Sequence, residues 1–233
     1  MIVRAAVCPS PPLMARELTG SADVLPELRA ASAAAVSALL AAAPDVVMVV
    51  GAGPATATWD PDSRLDLSAY APVLGTDGKS GLPLALGLGA MLLDAAGYVG
   101  LRVLQAVGET EAPAECLRLG ASLPHLAPRV ALLAMGDGSA RRGVAAPGHL
   151  DRRAAPFDTS VERALRDNDM AVLASLDPGL ASDLLASGRT AWQVLAGALS
   201  APGAADAPAG QILYVGAPLG VSYLVAVLGP RGR

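Results

Sequence analysis

Val130-Ala-Leu-Leu-Ala-Met135, followed by Gly-Asp-Gly-Ser-Ala-Arg-Arg at 136–142, is the stretch that decides the fold. The six apolar residues predict a strand that is buried on both faces, because neither side of it carries a polar residue. The residues behind it are small and polar, which is typical of a loop, and the loop continues through Ala-Pro-Gly-His-Leu-Asp-Arg-Arg at 146–153. Ligand sites of open α/β sheets lie at such strand ends, so we expect functional residues in this loop.

Short apolar runs alternate with alanine-rich segments in the first half of the chain, which indicates a sheet covered by helices. Besides the strand at 130–135, we predict strands at 2–7, 46–50 and 100–107. Helices are predicted between them at 22–43, 84–96 and 113–120, the last two beginning at or just after a proline.

The sequence of the second half of the chain predicts short helices followed by two strands. Helices are predicted at 157–166, 170–176, 178–186 and 191–199, with Asp177 as an N-cap and Pro178 in the first helical position. Residues 201–210 are predicted to form a loop, and strands at 212–215 and 223–228 return to the sheet. No internal repeat is visible, so residues 1–233 are expected to form a single α/β domain with a central, mostly parallel sheet.

The composition is typical of a protein with one large hydrophobic core. It does not favour binding to nucleic acid or to a membrane. The chain has 233 residues, 53% of them hydrophobic, and its formal net charge of −4 provides no positive field for phosphate or anionic lipid. Glycine and proline divide the uncharged stretch at 207–230 into two strands. Cys8 and Cys116 form no Cys-x-x-Cys pair, so a cytoplasmic protein with reduced thiols is expected. The alanine, glycine and arginine bias, with Lys79 as the only lysine, suggests a GC-rich, actinobacterial type of genome.

The loop at 136–142 resembles the one that carries the catalytic histidine in class III extradiol ring-cleavage dioxygenases, the LigB-type β-subunit fold of a superfamily that includes MEMO-like proteins. In that family the strand is followed by a Gly-Asp-x-Ser-His pattern, whose histidine acts as acid and base beside a non-haem Fe(II). This chain has Gly136, Asp137 and Ser139 in the pattern, but Ala140 stands in place of the histidine. The resemblance therefore implies the LigB-like fold and the loss of its main chemical group.

Other stretches resemble the family's metal-binding positions without their ligands. Cys8 or Ser10, in Cys-Pro-Ser-Pro-Pro-Leu at 8–13, stands where the family has an imidazole, although a lone cysteine is more typical of a buried core. The turn Gly-Ala-Gly-Pro at 51–54 occupies the position where the family has another iron-binding histidine. This turn also lacks the third glycine of a dinucleotide-binding loop. The segment 188–198 resembles the one with the metal-binding glutamate, and 217–223 resembles the last strand pair, but no carboxylate lies between Asp183 and Asp206.

The number of histidines is too small for the family's iron site. That site takes two histidine ligands, one carboxylate and a further histidine as base. This chain contains only His125 and His149. We therefore expect no stoichiometric Fe(II), which the resemblance would otherwise imply, and no other cofactor.

Asp137, Ser139, Arg141 and His149 are the candidate catalytic groups of a rebuilt site. His149 and Asp151 lie beside Asp137 and could ligate a metal, but the arginines around them oppose a cation and favour an anionic ligand. Two plainer interpretations stay open. Asp137 can cap its own loop by accepting N–H groups of residues 139–141 in an Asx turn. The loop arginines can also form ion pairs with the nearby aspartates. The arginines are Arg141, Arg142, Arg152 and Arg153, and the aspartates are Asp137, Asp151 and Asp158.

Ser10, Gly53, Asp137 and Arg141 are predicted to border one cleft at the carboxyl ends of the strands, which would be positive and would bind a small anionic molecule. Three hypotheses stay open. The chain is a non-iron relative that binds a small ligand or a protein partner, or it is an enzyme, an extradiol-type oxidoreductase included, with a rebuilt site. In the third hypothesis another chain, in a homo-oligomer or a hetero-complex, completes the site.

Overall fold

The computed structural model of the chain describes residues 1–22, 24–74, 81–200 and 209–229. Its strands are β1 (Ile2–Cys8), β2 (Val46–Gly53), β3 (Ala57–Trp59), β4 (Leu101–Gly108), β5 (Val130–Met135), β6 (Gln211–Gly216) and β7 (Tyr223–Leu228). Its helices are α1 (Arg16–Thr19), α2 (Pro26–Leu40), α3 (Leu84–Ala95), α4 (Pro113–Ser122), α5 (Ala154–Asp167), α6 (Met170–Ala174), α7 (Pro178–Asp183) and α8 (Arg189–Ser200). Single 3-10 turns lie at Pro12–Met14, Pro72–Leu74 and Leu123–His125.

Within these ranges the strands form one sheet in the order β3-β4-β2-β5-β1-β7-β6. The four central strands are parallel, while β3, β7 and β6 run antiparallel to their neighbours. The sheet is thus mixed, and the expectation of a mostly parallel sheet holds only for its centre. The connection at 217–222 is long enough for a hairpin between β6 and β7 but too short for a crossover, which accounts for the antiparallel direction of that pair.

Most predicted elements are present, and their ends differ for local reasons. The strand predictions at 130–135 and 223–228 match β5 and β7 to the residue. The helix predicted at 22–43 ends at Leu40 and begins only at Pro26, because Leu25 adopts a left-handed conformation with φ 62° before it. Asp177 caps α7 as predicted, since its Oδ1 accepts the N–H of Leu180 at 2.6 Å. The three-residue β3 was not predicted, and most of the loop predicted at 201–210 lies outside the described residues.

Two hydrophobic layers cover the sheet, one on each face. In β5, Val130, Leu132 and Ala134 face the layer that contains α4, α5, α6 and α8. The alternate residues Ala131, Leu133 and Met135 face the layer that contains α2 and α3. The continuous apolar run of this strand is explained by burial on both faces.

Glycines let α3 approach the end of β2 closely. A Cβ at Gly51 would lie 2.5 Å from the Cβ of Ala85, and one at Gly89 would lie 2.5 Å from Cγ1 of Val49. Since these contacts leave no room for a side chain, the first turn of α3 lies against the carboxyl end of β2.

We expect Gly51→Ala to destabilise the fold by about 1.5 kcal/mol, because the added methyl group has to displace α3. Gly143→Ala is the matched control, since a Cβ at Gly143 meets no atom within 4 Å. Urea unfolding of both variants measures the difference. Equal midpoints for the two variants would contradict the close packing of α3.

None of the helices in the described ranges has the length and hydrophobicity that a membrane span requires. The uncharged stretch at 207–230 contains β6 and β7, as the sequence predicts.

Candidate functional site

The carboxyl ends of the four parallel strands surround a cavity of about 670 Å³. Ser10 follows β1, Gly53 ends β2, Glu109 follows β4, and Asp137 lies just after β5. The strand ends therefore converge as predicted, and three of the four residues expected at the cleft line it. The rest of the wall comes from Pro12, Ala52, Pro54, Tyr70, Pro83, Leu84, Ala85, Thr110, Gly136 and Ser187.

Asp137 is held in the cavity wall by contacts to two other loops. Its carboxylate Oδ1 accepts the backbone N–H of Ser10 at 2.6 Å. Its own N–H donates to Oγ of Ser187 at 3.1 Å, and its carbonyl accepts the N–H of Gly188 at 2.9 Å. A Cβ at Gly136 would lie 2.4 Å from the Cα of Gly188, so the loop passes directly over the start of α8. The carboxyl group is thus fixed by long-range contacts.

The carboxyl group of Asp137 has an unusual acidity for an aspartate. Burial disfavours its charged form and raises its pKa to about 7, although the N–H of Ser10 acts in the opposite direction. The residue keeps part of its surface where it lines the cavity, while protein surrounds its other sides. Asp137 can therefore gain or lose a proton near neutral pH.

Further polar groups face the same space. Ser10 is only 5% exposed and lines the cavity, and its hydroxyl makes no hydrogen bond to any described residue. Tyr70 is 50% exposed, and both partial burial and the charge of Asp137 raise the pKa of its phenol. Glu109 and Thr110 are exposed at the end of β4. Among the described residues, the cavity wall thus offers two carboxyl groups, hydroxyl groups and one aromatic ring.

Ser139 lies in a buried network that is separate from the cavity. Its N–H donates to Oδ1 of Asp158 at 2.9 Å, and its hydroxyl donates to the carbonyl of Leu184 at 2.9 Å. The hydroxyl also accepts the N–H of Arg141 at 3.1 Å. The Asx turn predicted for Asp137 is therefore wrong. The N–H groups of residues 139–141 that it would have used donate instead to Asp158, to the carbonyl of Leu184 and to the hydroxyl of Ser139.

Arg141 and His149 do not line the cavity. The guanidinium of Arg141 donates to the carbonyl of Gly148, inside its own loop. His149 is exposed, with φ 57°, on the far part of that loop. Of the four predicted catalytic candidates, only Asp137 lies at the cavity.

The arginines of the loop pair in part as predicted. Arg142 contacts Asp158 at 2.9 Å and Arg153 contacts Asp151 at 2.8 Å, and the latter pair holds the pKa of Asp151 at about 2. Within the described part of the chain, Asp137 forms no ion pair. The predicted positive cleft is not found among the described residues, since the two charged ones that line the cavity, Asp137 and Glu109, both carry carboxyl groups.

The residues around the cavity do not fit a site with two histidines and one carboxylate. His125 lies in the turn before β5, at the amino end of the parallel strands, and so at the opposite edge of the sheet. His149 is outside the cavity, and Ala140 carries no ligand atom. No group of three or more histidine, cysteine, aspartate or glutamate side chains suited to a metal occurs among the described residues.

Both cysteines belong to the core. Cys8 is fully buried on the α2 side of the sheet, where burial raises the pKa of its thiol to about 12. Cys116 is buried on the other side, and burial raises its pKa as well. The sequence hypothesis of a buried, unreactive Cys8 therefore agrees with the structure.

Sequence reasoning missed four polar residues of the site, which are Tyr70, Glu109, Thr110 and Ser187. The first residues after β4 could have been found, because the strand-end rule that selected Ser10 and Asp137 applies to them equally. Ser187 and Tyr70 carry no such signal, since their loops have no periodic pattern that fixes where they lie.

The comparisons with known proteins show the fold alone. No protein-family model matches the chain, and no curated protein sequence matches it. Among solved structures, the chain is similar to the uncharacterized protein JW3007 from Escherichia coli K12. The identity is 16% and the TM-score 0.56, with 98% of this chain and 100% of the other chain covered. The chain is therefore a single-domain α/β protein with a mixed sheet, of the same overall fold as that protein.

Proposed function

We propose that this chain is a small-molecule-binding protein that resembles class III extradiol dioxygenases in fold, carries out no Fe(II)-dependent ring cleavage, and binds its ligand in the cavity at the strand ends. The proposal rests on Asp137, a carboxyl group fixed by the N–H of Ser10 and directed at a cavity of about 670 Å³. That volume lies within the range typical of ligand pockets.

The chemistry of the wall favours a ligand with hydrogen-bond donors and a flat or apolar part. Asp137 and Glu109 can accept hydrogen bonds, and the hydroxyl of Ser10 can accept or donate one. Pro12, Tyr70 and Pro83 supply apolar surface around these groups. The N–H of Ser10 is the hydrogen-bond donor that the carboxylate of Asp137 has among the described residues. A partly buried carboxylate can accept more than one hydrogen bond, so a ligand that donates to Asp137 recovers free energy on binding.

Thermal unfolding of the full chain with catechol, benzyl alcohol, benzylamine and benzoate tests whether the cavity binds small molecules. We expect at least one of these probes to raise the melting temperature in a concentration-dependent way. Ala52→Leu should abolish the response, because it adds carbon atoms to the cavity wall. Ala145→Leu, on an exposed loop position outside the cavity, is the matched control.

Two results would overturn the proposal. The first is the absence of any response, or an Ala52→Leu variant that responds as the parent does. The second is cleavage of the catechol ring by protein supplied with Fe(II) under anaerobic conditions and then exposed to O₂.

An enzyme that uses Asp137 as general acid and base is the second candidate. A pKa of about 7 suits proton transfer at neutral pH, and the fixed position of the carboxyl group suits a bound substrate. Ser139, Arg141 and His149 take no part in this proposal, because they lie elsewhere. An Asp137→Asn variant that binds a substrate and does not convert it would support the enzyme, while unchanged turnover by this variant would contradict it.

A further inference from the structure

We propose that the ligand of this cavity carries a protonated amine, which lies between the carboxylates of Asp137 and Glu109. This inference deepens the proposed function and rests on it. It depends on the charges that line the cavity, on the positions of the two carboxyl groups, and on one buried hydroxyl group.

No cationic side chain among the described residues lines the cavity. Arg141 donates to a carbonyl in its own loop. Arg189 lies behind the end of β4 and is only 3% exposed, and its guanidinium donates to the carbonyls of Glu109 and Glu111 at 2.6 and 3.0 Å. The influences on the pKa of Asp137 are burial and the N–H of Ser10, with no cation among them. Within the described part of the chain, neither Asp137 nor Glu109 forms an ion pair.

The order of the strands places the two carboxyl-bearing residues on either side of β2. Glu109 follows β4 and Asp137 follows β5, and β2 pairs with both strands. Neighbouring strands are spaced by about 4.8 Å, so the main chains of the two residues are about 10 Å apart. A cation between the two side chains can therefore interact with both.

Ser10 and Tyr70 provide independent support for a bound donor. Ser10 lines the cavity and is 5% exposed, and its hydroxyl makes no hydrogen bond to a described residue. An ammonium group has three N–H donors, which suits one carboxylate on each side and a hydroxyl oxygen. The ring of Tyr70 can add a cation–π contact.

The amino-terminal end of α3 favours an anionic ligand, the opposite of the proposed ammonium group. Leu84 and Ala85 belong to the first turn of this helix and line the cavity, and free N–H groups at a helix start attract anions. Two carboxylates oppose an anion more strongly than one helix start attracts it, since each carries a full charge. An anionic ligand is therefore the competing result that the experiment has to detect.

Calorimetric titration of the full chain with matched probes tests the inference. One set is 2-phenylethylamine, 2-phenylethanol and 3-phenylpropionate, and the other is pentylamine, pentanol and hexanoate. At pH 8 we expect the amine of at least one set to bind about tenfold more tightly than its alcohol and its carboxylate. Asp137→Asn and Glu109→Gln should each remove most of this preference. Glu115→Gln is the matched control, because it makes the same change of charge at an exposed position on α4.

Binding of the amine should also weaken about tenfold or more between pH 8 and pH 5.5, because Asp137 becomes protonated over this interval. The other ionisable groups near its carboxyl are Glu109, Tyr70 and Tyr223, and burial raises the pKa of both tyrosines. These phenols stay neutral over the interval. The expected pH dependence is therefore that of Asp137.

The outcomes separate the two proposals. Alcohols or carboxylates that bind as tightly as the amines, or amine binding unchanged in Asp137→Asn, overturn the inference and leave the cavity as a small-molecule site. If none of these probes binds while another small molecule binds in a way that Ala52→Leu abolishes, the inference alone is wrong. If no small molecule binds at all, both proposals are wrong.

Discussion

Asp158→Ala is expected to lower the free energy of unfolding by about 3 kcal/mol, the largest change among the variants considered. Asp158 is 3% exposed, and its Oδ1 and Oδ2 accept hydrogen bonds from the N–H of Ser139 and from the guanidinium of Arg142, both at 2.9 Å. Removal of the carboxylate leaves a buried N–H without an acceptor and a cation without its partner. The loss lies at the lower end of the range for buried ion pairs, because the side chain of Arg142 is 29% exposed.

Urea unfolding of the variant and of two controls measures this effect. Asp158→Asn retains an acceptor for Ser139 and loses only the charge, so it should be destabilised by less than the alanine variant. Asp151→Ala breaks a more exposed pair with Arg153 and should change stability much less than Asp158→Ala does. If Asp158→Ala and Asp151→Ala unfold at the same urea concentration, the buried network does not stabilise the loop.

The buried strands could be predicted from the sequence because their position depends on local composition. An uninterrupted apolar run such as 130–135 is stable only where both faces of a sheet are covered. The direction of β7 has no such local signal, since it depends on the hairpin at 217–222. The short β3 was not predictable for the same reason, because its pairing with β4 depends on a distant strand.

The strand-end rule located part of the site and failed where the chain leaves the strand end. Asp137 is close enough to β5 for its position to follow from the strand. Beyond it, the loop is tied to distant segments, since Gly138 donates to the carbonyl of Ser222 and Ala140 to that of Leu184. These contacts direct Arg141 away from the cavity. No pattern within the loop predicts them, because both partners lie far away in the sequence.

The expected Asx turn at Asp137 shows how a local rule can select the wrong partner. Aspartate in a glycine-rich loop commonly accepts an N–H two or three residues ahead. Here the N–H of Ser139 already has Asp158 as its acceptor, so the carboxylate of Asp137 is free to accept the N–H of Ser10. This hydrogen bond from Ser10 to Asp137 joins the loop after β5 to the loop after β1 and keeps Asp137 in the cavity wall.

Asp137→Asn is expected to stabilise the protein above pH 7 by about 2 kcal/mol and to change its stability little near pH 4. In the folded chain the pKa of Asp137 is raised from an ordinary value of 3.8 to about 7. Since the folded pKa is raised, the stabilising contribution of the group is complete below pH 4 and is lost as the pH rises to 7. Asparagine stays neutral at every pH and keeps an oxygen that can accept the N–H of Ser10. The expected stabilisation of about 2 kcal/mol is about half of the free energy that corresponds to the whole pKa shift, because the cavity leaves part of the carboxylate in water.

Denaturant unfolding of parent and variant at intervals from pH 4 to pH 8 measures this difference. Other groups that titrate over this range are common to both proteins, so their effects cancel in the difference between the two unfolding free energies. That difference should rise from near zero at pH 4 to a plateau just above pH 7. A constant difference across the range, or an Asn variant that is less stable than the parent at pH 8, would show that burial does not raise the pKa of Asp137. In that event the carboxylate is well solvated in the cavity, and the reason for expecting a ligand to neutralise it is removed.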